Sequence, residues 1–359
     1  MSINHLYDTW FQHIRQLWPD QRLPLYRNLA WFLTGLYLSR SVQLHRVAEK
    51  IPSAAKLPSV TRRLSRWLAQ PRLRVRPWYE PLARSLLQAM AASVGEIRLI
   101  VDGTAIGSHH QLLMISLAFR RRALPLAWTW VKQHQGHTSA ARQLARLAYV
   151  RSLRPAGVPV LVVGDSEFGA VEVLQQLEAW HWYYVLRQTA KHLVQPAGQS
   201  DWPEFGSLVD RAGQQVWWAH ARLTMLHAHP THLLAHWAVG EKQPWLLATN
   251  VPCPQRALQA YRRRPWIDEL FGDLKRHGFD LQSTQLEHVA RLSRLTWLVV
   301  LLYLWLVSVG THTIKRGARH LVDRTERRDL SIFQIGLRLI ERYLVNAHPL
   351  AIRLRPYFR

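Results

Sequence analysis

The chain has 359 residues, with 47 lysines and arginines against 23 aspartates and glutamates, a formal net charge of +24. Its 48% of hydrophobic residues can fill a sizeable core, which excludes wholesale disorder. A single cysteine, Cys253, excludes a disulfide scaffold and a cysteine-built zinc site. The basic excess points to a polyanionic partner, nucleic acid before an anionic membrane.

The first twenty residues are amphipathic without a continuous apolar stretch, so they do not read as a secretory signal. Residues 1–92 read as a basic helical region, with 14 basic and 4 acidic residues up to Met90. Within it, LHRVAEKI, a Pro/Ser-rich turn and SVTRRLSRWLAQ form a helix, a turn and a basic helix. Ser59 is the expected N-cap, with Arg62, Arg63 and Arg66 along one side. The pattern suits a helix-turn-helix DNA reader and equally an ordinary solvated helix pair.

From Glu96 the texture changes. Arg98–Thr104, Leu112–Arg122 and Leu124–Gln133 are short apolar or alternating runs and read as strands. Thr138–Arg154 has helical spacing, Val158–Gly169 is a strand ending in a polar turn, Ala170–Trp180 is a helix and His181–Gln188 another strand. The order β-β-β-α-β-α-β predicts an α/β fold, a mixed sheet with helices on its faces. It resembles the order of the ribonuclease-H-like fold.

Residues 190–254 carry turn residues and β-like pieces (VWWAHARLT, THLLAHWAVG, PWLLATN) and read as a β-rich insertion. A helix is expected over Arg264–Gly278, with Pro265 at its start and Gly278 as its stop. Leu295–Gly310 is apolar but short of the ~20 residues a membrane span needs, so it reads as a buried core helix and no membrane partner is expected. The resulting division is 1–92 basic helical region, 93–189 and 255–310 two-part α/β core, 190–254 insertion, and 311–359 basic C-terminal region. The histidines of LHAHPTHLLAHW fit a half-exposed strand face better than a zinc site.

The carboxylates carry the chemistry. Asp102 closes the first strand, Asp165 follows the fourth, and Asp268 and Glu269 open the late helix. Resemblance to a ribonuclease-H-like sheet implies that these groups converge, and carboxylates so close require a cation between them. Each aspartate taken singly also suits a plain turn or cap. Glu167 reads as a solvated or capping acid, and Asp273 as an exposed partner for Arg276 or His277.

Tyr261, Arg264, Asp268 and Lys275, in YRRRPWIDELFGDLK, match the tyrosine–arginine–glutamate–lysine signature of DDE transposases of the insertion sequence 4 family. IVDGT and VVGDSEFG resemble that family's first two acidic motifs, over roughly Arg98 to Gly310. The sequence departs from the pattern in placing Asp268 where the family has glutamate, with Glu269 beside it, so either acid is a candidate third ligand. Pro265 also stands where the family often has tryptophan.

The resemblance implies a bacterial insertion-sequence transposase, cytoplasmic and nucleoid-associated. It would bind terminal inverted repeats and cut and join DNA through hairpin ends, using two Mg2+ ions, with Mn2+ as a substitute. Asp102, Asp165 and Asp268 or Glu269 would be catalytic and metal-holding. Tyr261, Arg264 and Lys275 would contact DNA, and Trp245 or Trp266 would stack on a flipped base. The implied partners are transposon ends, target DNA and a second copy of the chain in a synaptic homodimer. The alternatives are an inactive transposase-derived DNA-binding protein and a nuclease of the same fold without strand transfer.

Overall fold

In the computed structural model, which describes residues 2–19, 21–107, 109–132 and 138–358, the alternating apolar runs of the mid-chain become one nine-stranded sheet. Helices α1 (Ser2–Leu17), α2 (Leu23–Ser39), α3 (Leu44–Glu49), α4 (Leu57–Ala69) and α5 (Val75–Val94) precede it. Then come β1 (Ile97–Ile106), β2 (His110–Phe119), β3 (Arg122–Lys132), α6 (Ala140–Leu153), β4 (Val160–Gly164), α7 (Val171–Ala179) and β5 (Tyr183–Arg187). Strands β6 (Val194–Gln195), β7 (Gln215–Leu223), β8 (His229–His236) and β9 (Trp245–Thr249) follow. Helices α8 (Pro254–Tyr261), α9 (Trp266–Leu274), α10 (Val289–Lys315) and α11 (Ile332–Val345) complete the chain. Two compact units result: Met1–Ala89 with Ala105–His110 and Leu270–Arg359, and Met90–Thr104 with Gln111–Glu269.

The first unit is helical because its apolar residues recur at helical spacing. Leu6, Trp10 and Ile14 of α1 are buried, and the Trp10 ring meets Trp305 edge-on at 5.2 Å. Helix α4 begins at Leu57, two residues before the expected Ser59 cap, with Lys56 as N-cap. Pro58 explains the shift, since proline suits a first helical turn whose N–H groups lack partners in any case. Val60, Leu64, Trp67 and Leu68 face inward, while Arg62 and Arg66 are exposed and Arg63 is half-buried.

Helix α10 spans 27 residues, well beyond the expected Leu295–Gly310. It is long and apolar enough to cross a membrane, yet 89% of its most apolar window is buried within the protein. Its N-terminal extension tolerates a buried Arg294 because that side chain donates Nε to the Leu73 carbonyl (2.8 Å) and Nη1 to the Leu68 carbonyl (2.6 Å). Helix α11 approaches α10 closely at two glycines: Gly310 faces the Ile332 carbonyl and Gly336 the Leu306 carbonyl.

In the second unit the strand order is β3-β2-β1-β4-β5-β9-β8-β7-β6. Strands β1 and β4 pair in parallel, as do β4 and β5; the β5–β9, β9–β8, β8–β7 and β7–β6 pairs are antiparallel. The β-like pieces of residues 190–254 thus lengthen the central sheet. Strand β2 stops at Phe119 rather than Arg122, because Arg120 and Arg121 adopt left-handed backbone (φ 44° and 61°) to turn into β3. Gln133, the expected end of that third strand, lies outside the described residues, as does Arg359 at the end of the basic tail.

Candidate active site

Parallel pairing brings two of the acids together. The β1–β4 register ends at Val101 opposite Gly164, so the next residues, Asp102 and Asp165, are neighbours across the strands. Asp102 does not close its strand as expected, since β1 runs on to Ile106, but its pairing with β4 ends there. A backbone N–H fixes one oxygen of each: Gly103 N donates to Asp102 Oδ1 (2.9 Å) and Glu167 N to Asp165 Oδ1 (3.0 Å).

The third acid arrives on α9. The expected Arg264–Gly278 helix is shortened to α9, Trp266–Leu274, and a separate helix, α8, ends just before it at Tyr261. Residues 262–265 form the turn between them. From that turn Arg264 donates Nη2 to Asp102 Oδ2 (3.0 Å) and Asp165 Oδ2 (3.4 Å), and Nη1 to Asp268 Oδ2 (2.9 Å). Three carboxylates therefore meet around one guanidinium, all within the second unit.

Glu269 takes a different partner: its Oε2 accepts from Arg122 Nη1 at 2.5 Å. Between the two adjacent acids, Asp268 is the one that joins Asp102 and Asp165.

Electrostatics match this geometry. Burial pushes the Asp102 carboxyl up to about 8; Arg264 opposes the shift and Asp165 and Asp268 add to it. The Asp268 carboxyl is also raised, by burial first. One guanidinium does not balance three carboxylates, so the cluster favours an added cation. The donor set is hard oxygen, which suits Mg2+ or Mn2+. Among the described residues no group of three or more His, Cys, Asp or Glu is arranged so that it could hold a metal ion as it stands. Arg264 lies between the oxygens that would hold one.

Tyr261 is 3% exposed, and burial raises its hydroxyl to about 12 despite a hydrogen bond from Arg187. The half-buried Trp245 ring meets the Tyr261 ring at 5.1 Å, edge to face. Trp266, the first residue of α9, is also half-buried. Lys275 belongs to the first unit, one residue past the end of α9, and donates Nζ to the Ala105 carbonyl (2.8 Å). Asp273 is 2% exposed, buried beside Leu270 and Leu274 on α9, and is not the surface partner expected.

Glu167 is half-buried, and its carboxylate is held by residues outside its own turn. Its Oε1 accepts from the Thr138 N–H and hydroxyl (both 2.7 Å), and its Oε2 from Gln111 (3.3 Å). Gln143 donates to the carbonyls of Thr138 and Glu167 (2.9 and 3.0 Å). The turn after Asp165 is thereby fixed, and Asp165 with it. Nothing local in GDSEFG announces this, because Thr138 lies 29 residues upstream.

A sheet flanked by helices, with acids on two adjacent parallel strands and one helix, defines an α/β protein built around a carboxylate site. The chain belongs to the family described as the transposase DDE domain, whose model matches residues 95–305. It is also similar to a cryo-EM structure of a piggyBac transposase synaptic complex with hairpin DNA. That match covers 99% of this chain and 83% of the other, at 10% identity and a TM-score of 0.42. No curated protein matches it.

Proposed function

We propose that this transposase is of the insertion sequence 4 type, binding the inverted repeats at transposon ends and cutting and joining DNA with divalent metal. The observation that carries the reading is the convergence of Asp102, Asp165 and Asp268 on one point. The order β3-β2-β1-β4-β5 with parallel β1, β4 and β5 supports a ribonuclease-H-like core.

Asp102, Asp165 and Asp268 would hold Mg2+, or Mn2+ in its place. Bound there, such ions supply activation of water or a 3′-hydroxyl and stabilise the leaving oxygen of an in-line displacement. The substitution of aspartate for the family's glutamate does not prevent contact, since Asp268 reaches Arg264 at 2.9 Å. Glu167 keeps Asp165 oriented through the Thr138 clip. Tyr261 and Arg264 lie beside the acids, where a backbone phosphate would find a guanidinium. The half-buried face of Trp245 suits a base unstacked at a hairpin, with Trp266 the other candidate.

In the first unit, α3, its turn and α4 present Arg62 and Arg66 to solvent, as a helix-turn-helix reader of transposon ends would. The expected division into DNA-binding region, two-part catalytic core, insertion and basic C-terminal region belongs to this reading. So do a homodimer that synapses two ends, Lys275 as a DNA contact, and a cytoplasmic, nucleoid-associated location.

Resolving the products on a denaturing gel tests the reading. Incubation of end-containing DNA with the protein and Mg2+ should give 3′-hydroxyl nicks, hairpins and strands joined to target. Nicks scattered over any duplex with no joined product would instead mark a nuclease. Specific binding without a cut would mark an inactive DNA-binding derivative.

A further inference from the structure

Arg264 occupies the part of the site where a cation would be held. The backbone N–H groups of Gly103 and Glu167 take Asp102 Oδ1 and Asp165 Oδ1, which leaves each Oδ2 facing inward. Both inward oxygens, and Asp268 Oδ2, accept from Arg264. The guanidinium side chain is 21% exposed and that of Asp102 4%, so solvent screens this contact weakly, and the contact with the exposed Asp268 more strongly. A divalent cation on the same carboxylates would need the lone pairs that Arg264 now uses, and would stand beside its positive charge.

We propose that Arg264 is a removable counterion, which orders the three carboxylates in free protein, competes there with divalent cation, and exchanges them for a phosphate when DNA arrives. The proposal rests on the cation-site reading given above. A phosphate offers a guanidinium two oxygens in the same forked geometry that a carboxylate does, so the exchange replaces like with like. Release of Arg264 frees three inward oxygens at once. Cation loading and DNA binding then reinforce each other, and the reinforcement must be reciprocal. A protein built this way stays poorly loaded with metal until a DNA strand lies in the site.

The test is a calorimetric titration of the full chain with Mn2+, with and without a short end-containing duplex, for the wild type and Arg264→Gln. Without DNA, Arg264→Gln should bind Mn2+ about tenfold tighter or more, because a like charge has been removed from beside the carboxylates. With DNA, and after subtraction of the duplex's own Mn2+ binding, the wild type should tighten and Arg264→Gln should not. The sign is diagnostic, since loss of a merely structural arginine would loosen the carboxylates and weaken Mn2+ binding.

Equal or weaker binding by Arg264→Gln without DNA overturns the proposal. The wild-type arm needs no substitution, so an Mn2+ affinity unchanged by DNA overturns it even where the variant fails to fold. Asp102→Asn separates the two levels. If it abolishes Mn2+ binding while Arg264→Gln gains nothing, the counterion role fails and the cation site stands. Undiminished binding by Asp102→Asn overturns both.

Discussion

Glu269 is paired with Arg122 of β3 at 2.5 Å, although the residue before it, Asp268, points to Arg264 and the other carboxylates. Adjacent residues on a helix project about 100° apart, so only one of the two can serve the site. Asp268→Ala should therefore abolish cleavage while leaving end binding intact. Glu269→Ala should retain cleavage and lose about 0.5–1 kcal/mol of stability, as expected for a pair whose glutamate is half-exposed. Cleavage gels and urea melts of the two variants check this; equal loss of activity in both would break the assignment of the third acid.

Asp102 makes stability depend on pH. Its carboxyl titrates at about 8 when folded against an ordinary 3.8, so the folded state holds the proton more tightly than the unfolded chain. The stability this confers is complete below the ordinary value and is lost as pH rises through the folded one. Asp102→Asn has no such charge to bury, so without divalent metal it should melt above the wild type at pH beyond about 8. The gap should close toward acid pH. Thermal melts in EDTA across the range measure it, and a gap that does not change with pH would contradict the burial argument.

Gly310 and Gly336 permit the close approach of α10 and α11. A methyl group at either would meet a carbonyl oxygen of the facing helix, that of Ile332 or Leu306. Backbone cannot yield as a flexible side chain does, so Gly310→Ala and Gly336→Ala should each cost about 1–3 kcal/mol. Denaturant titration with a constant m-value reads this directly. A neutral result would mean that the two helices pack further apart.

Arg62 and Arg66 are exposed one turn apart on α4. If α4 reads DNA, Arg62→Gln and Arg66→Gln should each weaken binding and lower the slope of log affinity against log salt by about 1. Binding measured at several salt concentrations decides it. An unchanged slope would move the DNA contact elsewhere.

Local pattern made much of this architecture legible. The β-β-β-α-β-α-β order over residues 97–187 follows from alternating and helical apolar spacing, and both strand-borne acids were visible beside apolar runs. Helix α8 was not, because eight residues of PQRALQAY give barely two turns of periodicity. The apolar run alone gives too short an α10, because Arg291 and Arg294 interrupt it. Arg294 becomes acceptable only through carbonyls more than 220 residues upstream. The same limit applies at the site: the Arg122–Glu269 and Thr138–Glu167 pairs and the three partners of Arg264 are long-range contacts, apart from Asp268 four residues on. Periodicity reports which face of an element is buried, and it is silent on which distant partner meets it.

Asp102, Asp165 and Asp268 are proposed as one metal-dependent site that cuts DNA at transposon ends. The most direct test is Mg2+-dependent cleavage of DNA carrying the sequences that flank this gene, by the wild type and Asp102→Asn side by side. The expected result is a nick or hairpin at one defined position, absent without metal and absent in Asp102→Asn, with end binding retained. Cleavage at the wild-type rate by Asp102→Asn, or specific binding by the wild type with no cut in Mg2+ or Mn2+, would contradict it.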